Sequence, residues 1–148
     1  MSDPELPKPS VRMALICERA LLEHDGVLSV IRMIDQINVR VHGVGTPETM
    51  PPQKTRFMVA SSWTGGLGSH RVKTIITGPG DAHLELPEMP FHLSSLDRGH
   101  NLIAEVELPI TSEGLYWVNF ELDGESVSRI PLRVIYLRVE FPPLQANG

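Results

Sequence analysis

Residues 113–134, EGLYWVNFELDGESVSRIPLRV, alternate oily and wet side chains around a central Asp-Gly pair. Tyr116, Val118, Phe120 and Leu122 occupy every second position, and Ile130, Leu132 and Val134 do the same on the return. A period of two is the signature of a strand with one buried face. Asp-Gly is a favoured two-residue hairpin turn. The pattern predicts a hairpin turning at Asp123-Gly124, with these seven residues as a core wall. Each such residue contributes roughly 1.5–3 kcal/mol on burial. A one-residue slip would turn Glu121 and Arg133 inward instead, so the register is strongly specified.

The remainder of the chain has the same rhythm. Thirteen prolines and twelve glycines punctuate short apolar runs, as in all-β proteins. VRMALICERALLE (11–23) is rich in helix formers, but its apolar residues form no clean 3.6-residue stripe. HDG (24–26) then gives a turn signal, and the β-branched VLSVIRMIDQINVRV follows as its partner. A two-strand unit is the reading adopted, and a partly helical 11–23 is its rival. Ile37, Val39 and Val41 alternate with Gln36, Asn38, Arg40 and His42. The linker 42–54, with Pro51-Pro52, predicts a crossover to an opposite sheet.

TRFMVASSW (55–63) and HRVKTIITGP (70–79) read as strands around the loop TGGLGS, FHLSS as a short edge strand, and NLIAEVELPI (101–110) as a clean alternating strand. The expected fold is an antiparallel two-sheet β-sandwich, immunoglobulin-like, of about seven to nine strands. Tyr116, near the start of the penultimate strand, fits the tyrosine corner of such sandwiches, although the Cys-Trp-Cys pattern is missing. The expected organisation is a Pro-rich flexible arm at 1–10, the sandwich at 11–138 and a C-terminal tail at 139–148.

Bulk properties narrow the function classes. A chain of 148 residues with 41% hydrophobic content suits one domain with one core. Its net charge of −5 favours neither nucleic acid nor an anionic membrane surface. No apolar run approaches a membrane span, and MSDPELPKPS resembles no leader. A cytoplasmic location is therefore expected. Cys17, the single cysteine, is read as a buried, inert thiol.

The chemistry-bearing residues are sparse. TGGLGS lacks the Lys-Ser/Thr pair and following helix of a phosphate loop. Six histidines show no metal-ligand spacing; His83, His92 and His100, in one connector region, are the only nomination, and no metal or cofactor is expected. No G-x-S-x-G elbow is present, and Ser69 and His70 are adjacent and point to opposite faces. Glu105 and Glu107 share one strand face and read as a solvated stripe rather than a catalytic pair. Glu18-Arg19 interrupts an apolar strand, which predicts an ion pair with a neighbouring strand or a polar cleft. No catalytic residue is nominated. Trp117, Asn119 and Arg133 share the wet face of the last hairpin; with Trp63, read as a loop aromatic, they are the candidate binding spot. Trp117 is expected either to be covered by a Pro-rich terminal segment or to contact a partner, with sugar stacking a third use.

The runs ALICERALLEHDGVLSVIRMIDQI, FMVASSWTGGLGSHRVKTIITGPGD and EGLYWVNFELDGESVSRIPLRV together resemble a family of small bacterial proteins known only as a domain of unknown function. The closing motif, G-x-Y followed by a turn Gly and then P-L, falls at Gly114, Tyr116, Gly124, Pro131 and Leu132. The resemblance covers roughly residues 12–137; it implies a β-sandwich of cytosolic bacterial proteins with no established activity, and it carries over no catalytic residues. The leading functional expectation is a non-enzymatic protein-interaction module, with another protein as partner and oligomerisation left open. The alternatives are a ligand-binding sensor or hydrolase with a pocket at Glu18 and His70, and a structural subunit of a larger assembly.

Overall fold

The computed structural model describes residues 6–142. Among these residues ten strands form two sheets: β1 (Ser10–Leu22), β2 (Leu28–Met33), β3 (Gln36–Gly43), β4 (Gln53–Thr64), β5 (Gly68–Thr77), β6 (His83–Glu85), β7 (Met89–Leu93), β8 (Gly99–Ile110), β9 (Gly114–Leu122) and β10 (Glu125–Glu140). One sheet runs β2-β1-β4-β8 and the other β3-β10-β9-β5-β6, with β7 also paired to β5. Strand 11–22 is β throughout, so the helical rival for that segment is set aside.

The order is that of an immunoglobulin-like sandwich, in which strands A, B and E share one sheet and G, F and C the other. Here β1, β4 and β8 stand at A, B and E, and β10, β9 and β5 at G, F and C. The core between the sheets is built around Trp63, Tyr116, Phe120, Ile16 and Leu132, all nearly inaccessible. Tyr116 makes the expected corner: its hydroxyl donates to Ser112 O at 2.8 Å. The ring packs so closely on the β5 exit that a Cβ on Gly78 would lie 2.3 Å from it.

The last hairpin turns at Asp123 (φ 50°) and Gly124 (φ 87°), the two left-handed positions of a type I′ turn. The turn alone would not give the expected core wall. Continued without a break, it would pair Val118 with Arg129 and turn Arg129, Pro131 and Arg133 inward. An extra residue, Val127, bulges out between the Ser126–Glu121 and Ser128–Phe120 pairs. Beyond that bulge Ile130 faces Val118 and Leu132 faces Tyr116, and Leu132 and Val134 are buried. A bulge reverses which face later residues occupy.

The long β-branched run after Gly26 is not one strand. It breaks at Ile34-Asp35, and β3 crosses to the other sheet to pair in parallel with β10, from Arg133–Gln36 to Glu140–Gly43. The 42–54 linker then returns the chain to the first sheet, as its length predicted. Residues 6–9 pack against the glycine loop. Leu67 N–H donates to Pro7 O at 3.0 Å, and Pro9 is buried, its backbone N 2.4 Å from where a Cβ on Gly66 would sit. Only glycine allows that approach. At the other end β10 runs through Glu140, two residues into the expected tail. The expectations for 1–5 and 143–148 lie outside the described residues.

Candidate functional site

The outer face of the six-stranded sheet holds three of the four nominated residues. Alternation along β9 points Trp117, Asn119 and Glu121 away from the buried Tyr116, Val118 and Phe120. Trp117 lies between Thr77 of β5 and Pro131 of β10. Its cover is Arg129, whose guanidinium carbon sits 4.0 Å from the ring centroid, a cation–π geometry. The described N-terminal residues 7–9 lie elsewhere, against the glycine loop. Asn119 Oδ1 accepts from Ser126 Oγ at 2.5 Å. Arg133 is exposed on the same face, and among the described residues its guanidinium has no ion-pair partner.

Trp63 does not join them. It is fully buried at the end of β4, donates from Nε1 to Ser61 Oγ at 2.9 Å and stacks on Phe91 at 6.1 Å. The inward parity of Phe57, Val59 and Ser61 continues to Trp63, so the reading of a loop aromatic is corrected to a core residue.

Glu18 and His70 do not converge. They stand on different sheets and line separate cavities. Glu18 pairs with Arg32 at 2.5 Å across β1–β2, with both side chains exposed. Arg32 adopts φ 56°, and Cys17 and Ala20, three apart, join one buried cluster with Ala60. Strand alternation is therefore broken here, and neither Glu18 nor Arg19 is driven inward. Pairing of β1 with β4 ends at Cys17–Met58. Past that point a cleft of about 600 Å³ opens, lined by Glu18, Arg19, Arg56, Glu105 and Glu107 among others. Cys17 is free and fully buried; burial raises its thiol pKa, against a smaller lowering by a backbone hydrogen bond at Arg19.

His70 has a role that its sequence neighbours do not reveal. It points inward, 8% exposed, with Nδ1 2.7 Å from Asp123 Oδ2 and Nε2 2.7 Å from Leu67 O. Asp123 Oδ1 also accepts the Arg71 N–H at 2.9 Å. Burial alone would raise the Asp123 pKa, but the bonds from His70 and Arg71 and the nearby positive charge outweigh it, leaving a net lowering. The pair ties the β9–β10 turn to the glycine loop. Ser69 points the other way and bonds His92 Nδ1 at 3.1 Å.

The nominated histidines are separate. His83 bonds Glu85, His92 bonds Ser69 and His100 stacks on Phe91. Among the described residues no three His, Cys, Asp or Glu side chains gather where they could hold a metal. Glu107 meets Lys54 at 3.8 Å and Arg56 at 3.9 Å on the outer face of the four-stranded sheet. The residue that sequence reasoning missed is Arg129, and Asp123 was read only as a turn residue, without its bond to His70. The signal for Arg129 was its place two residues before Pro131, which becomes visible only once the bulge is counted.

Among solved structures, the chain is similar to the crystal structure of the CARDB domain of the PF1109 protein from Pyrococcus furiosus, in complex with di-metal ions. The two are 15% identical over 88% of this chain and 96% of that one, with a TM-score of 0.41. No curated protein matches. A family model matches residues 12–135, from within the opening strand to the closing hairpin. The chain belongs to that family, a family of unknown function designated DUF6941.

Proposed function

We propose that this domain is a non-enzymatic interaction module that binds another protein through the outer face of its six-stranded sheet, centred on Trp117. The carrying observation is the Arg129 guanidinium held 4.0 Å over a half-buried Trp117 on a solvent-facing sheet. Trp and Arg are the residue types that dominate binding hot spots. Asn119 and Arg133 add polar and cationic groups around that centre. All four side chains project from paired central strands rather than loops, which fixes their spacing before any partner arrives and lowers the ordering cost of binding.

The test is the triple variant Trp117→Ser, Arg129→Ser and Arg133→Ser, checked first for wild-type circular dichroism and thermal midpoint. The wild type should retain a defined set of partners from a lysate of its cells of origin, and the folded variant should lose them. An unchanged set of captured proteins would remove this face as the binding site.

A further inference from the structure

We infer that the free edge of β8 accepts an extended, basic segment of another protein as an added strand. This surface is separate from the Trp117 face, since β8 belongs to the four-stranded sheet. In the immunoglobulin plan, strand D lies beyond strand E and completes that sheet. Here β7, which reaches β8 through a short turn where D would stand in the chain, pairs with β5 in the opposite sheet. The position beyond β8 is vacated. All twelve residues of β8 pair with β4 on one side. On the other, among the described residues, no strand and no backbone hydrogen bond from another segment meets it. A long unpaired edge is a template for strand addition.

Charge selects the occupant. From residue 74 to residue 128 the chain has ten Asp or Glu and one basic residue, Arg98; β6, β7 and β8 all lie in this stretch. On β8 itself Glu105 and Glu107 are exposed on the outward side, and Glu105 has no ion-pair partner among the described residues. Like charges set opposite one another across strands are unfavourable and opposite charges favourable. The edge therefore disfavours a second copy of itself and favours Lys or Arg at alternate positions of the incoming strand. The intervening side chains would stand beside Ala104, Val106 and Leu108 on the inward side, where β-branched apolar residues fit.

The probe is a terminally blocked nine-residue peptide alternating Lys with Val, compared with its counterpart in which Glu replaces each Lys. Amide hydrogen exchange is followed on the full chain. The Lys peptide should slow exchange within residues 102–108, and the Glu peptide should not. Glu105→Lys, which breaks no described ion pair, should weaken Lys-peptide binding roughly fivefold or more. Trp117→Ser should leave that binding unchanged, so loss of the Trp117 site and loss of this one are distinguishable. Absent protection, equal protection by both peptides, or protection that instead rises with the protein's own concentration would each overturn the proposal, the last in favour of pairing between copies.

Discussion

Removing Val127 alone should leave the fold intact, whereas removing Val127 and Ser128 together should not. The prediction follows from parity. With the bulge residue gone, Leu122–Glu125, Glu121–Ser126, Phe120–Ser128 and Val118–Ile130 form one unbroken ladder in the existing register. Val127 is 39% exposed, so its own burial is a minor loss, and the single deletion should cost within about 1 kcal/mol. Loss of a second residue would place Pro131 opposite Val118 and turn Arg129 and Arg133 inward. The least costly escape restores Val118–Ile130 by widening the turn to Leu122, Asp123 and Gly124. That expels Leu122, now 4% exposed, at roughly 1.5–3 kcal/mol. It also pulls Asp123 from His70 and Arg71, at about 1.5–3 kcal/mol for bonds to a charged group. Together these amount to about 3–6 kcal/mol, a large share of the roughly 5–15 kcal/mol that stabilises a typical domain. For a chain of this length the thermal midpoint should fall by about 10–20 °C. Urea and thermal melts followed by circular dichroism and tryptophan emission read both variants, Trp63 reporting the core. Equal damage from one and two deletions would refute the parity argument.

Two further outcomes follow from named contacts. Tyr116→Phe keeps the buried ring and removes the bond to Ser112 O; it should cost about 1 kcal/mol by urea titration, and an unchanged midpoint would show the corner bond to be idle. The Asp123 carboxyl is held below its ordinary value of 3.8. A lowered native pKa gives stability that is complete above the ordinary value and lost as pH falls through the native one. Asp123→Asn keeps the left-handed turn position but not the charge, so it should flatten the acid limb of stability below the ordinary carboxylate value of 3.8; an acid limb identical to the wild type would exclude the pair as its source.

Period-two patterning made most of the architecture legible. Leu102, Val106 and Leu108 against Glu105 and Glu107 fixed the faces of β8, and the length of the 42–54 linker marked the change of sheet. The register of the last hairpin was read correctly but for an incomplete reason, because a bulge changes parity without changing composition. Strand boundaries that depend on one torsion were hidden. Arg32 at φ 56° breaks the alternation around Glu18 and helps divide β2 from β3, and arginine carries no signal for it. The site was legible only as a face. Trp117, Asn119 and Arg133 share a side by alternation, but which cation covers Trp117 depends on a cross-strand diagonal. Trp63 illustrates the reverse error, since a neighbouring Gly-Gly suggested a loop while the inward series from Phe57 had already assigned it to the interior.

The parallel ladder between β3 and β10 has a consequence for biosynthesis. Among the described residues β3 has no sheet neighbour other than β10, and residue 36 pairs with residue 133. While the ribosome is still elongating toward that last strand, the segment from Gln36 to Gly43 has nothing native to zip onto. Contacts spanning so much sequence form slowly, and an unsatisfied strand is prone to wrong associations meanwhile. A nascent chain stalled before the final ribbon should thus be an incomplete sandwich and a natural client for chaperones.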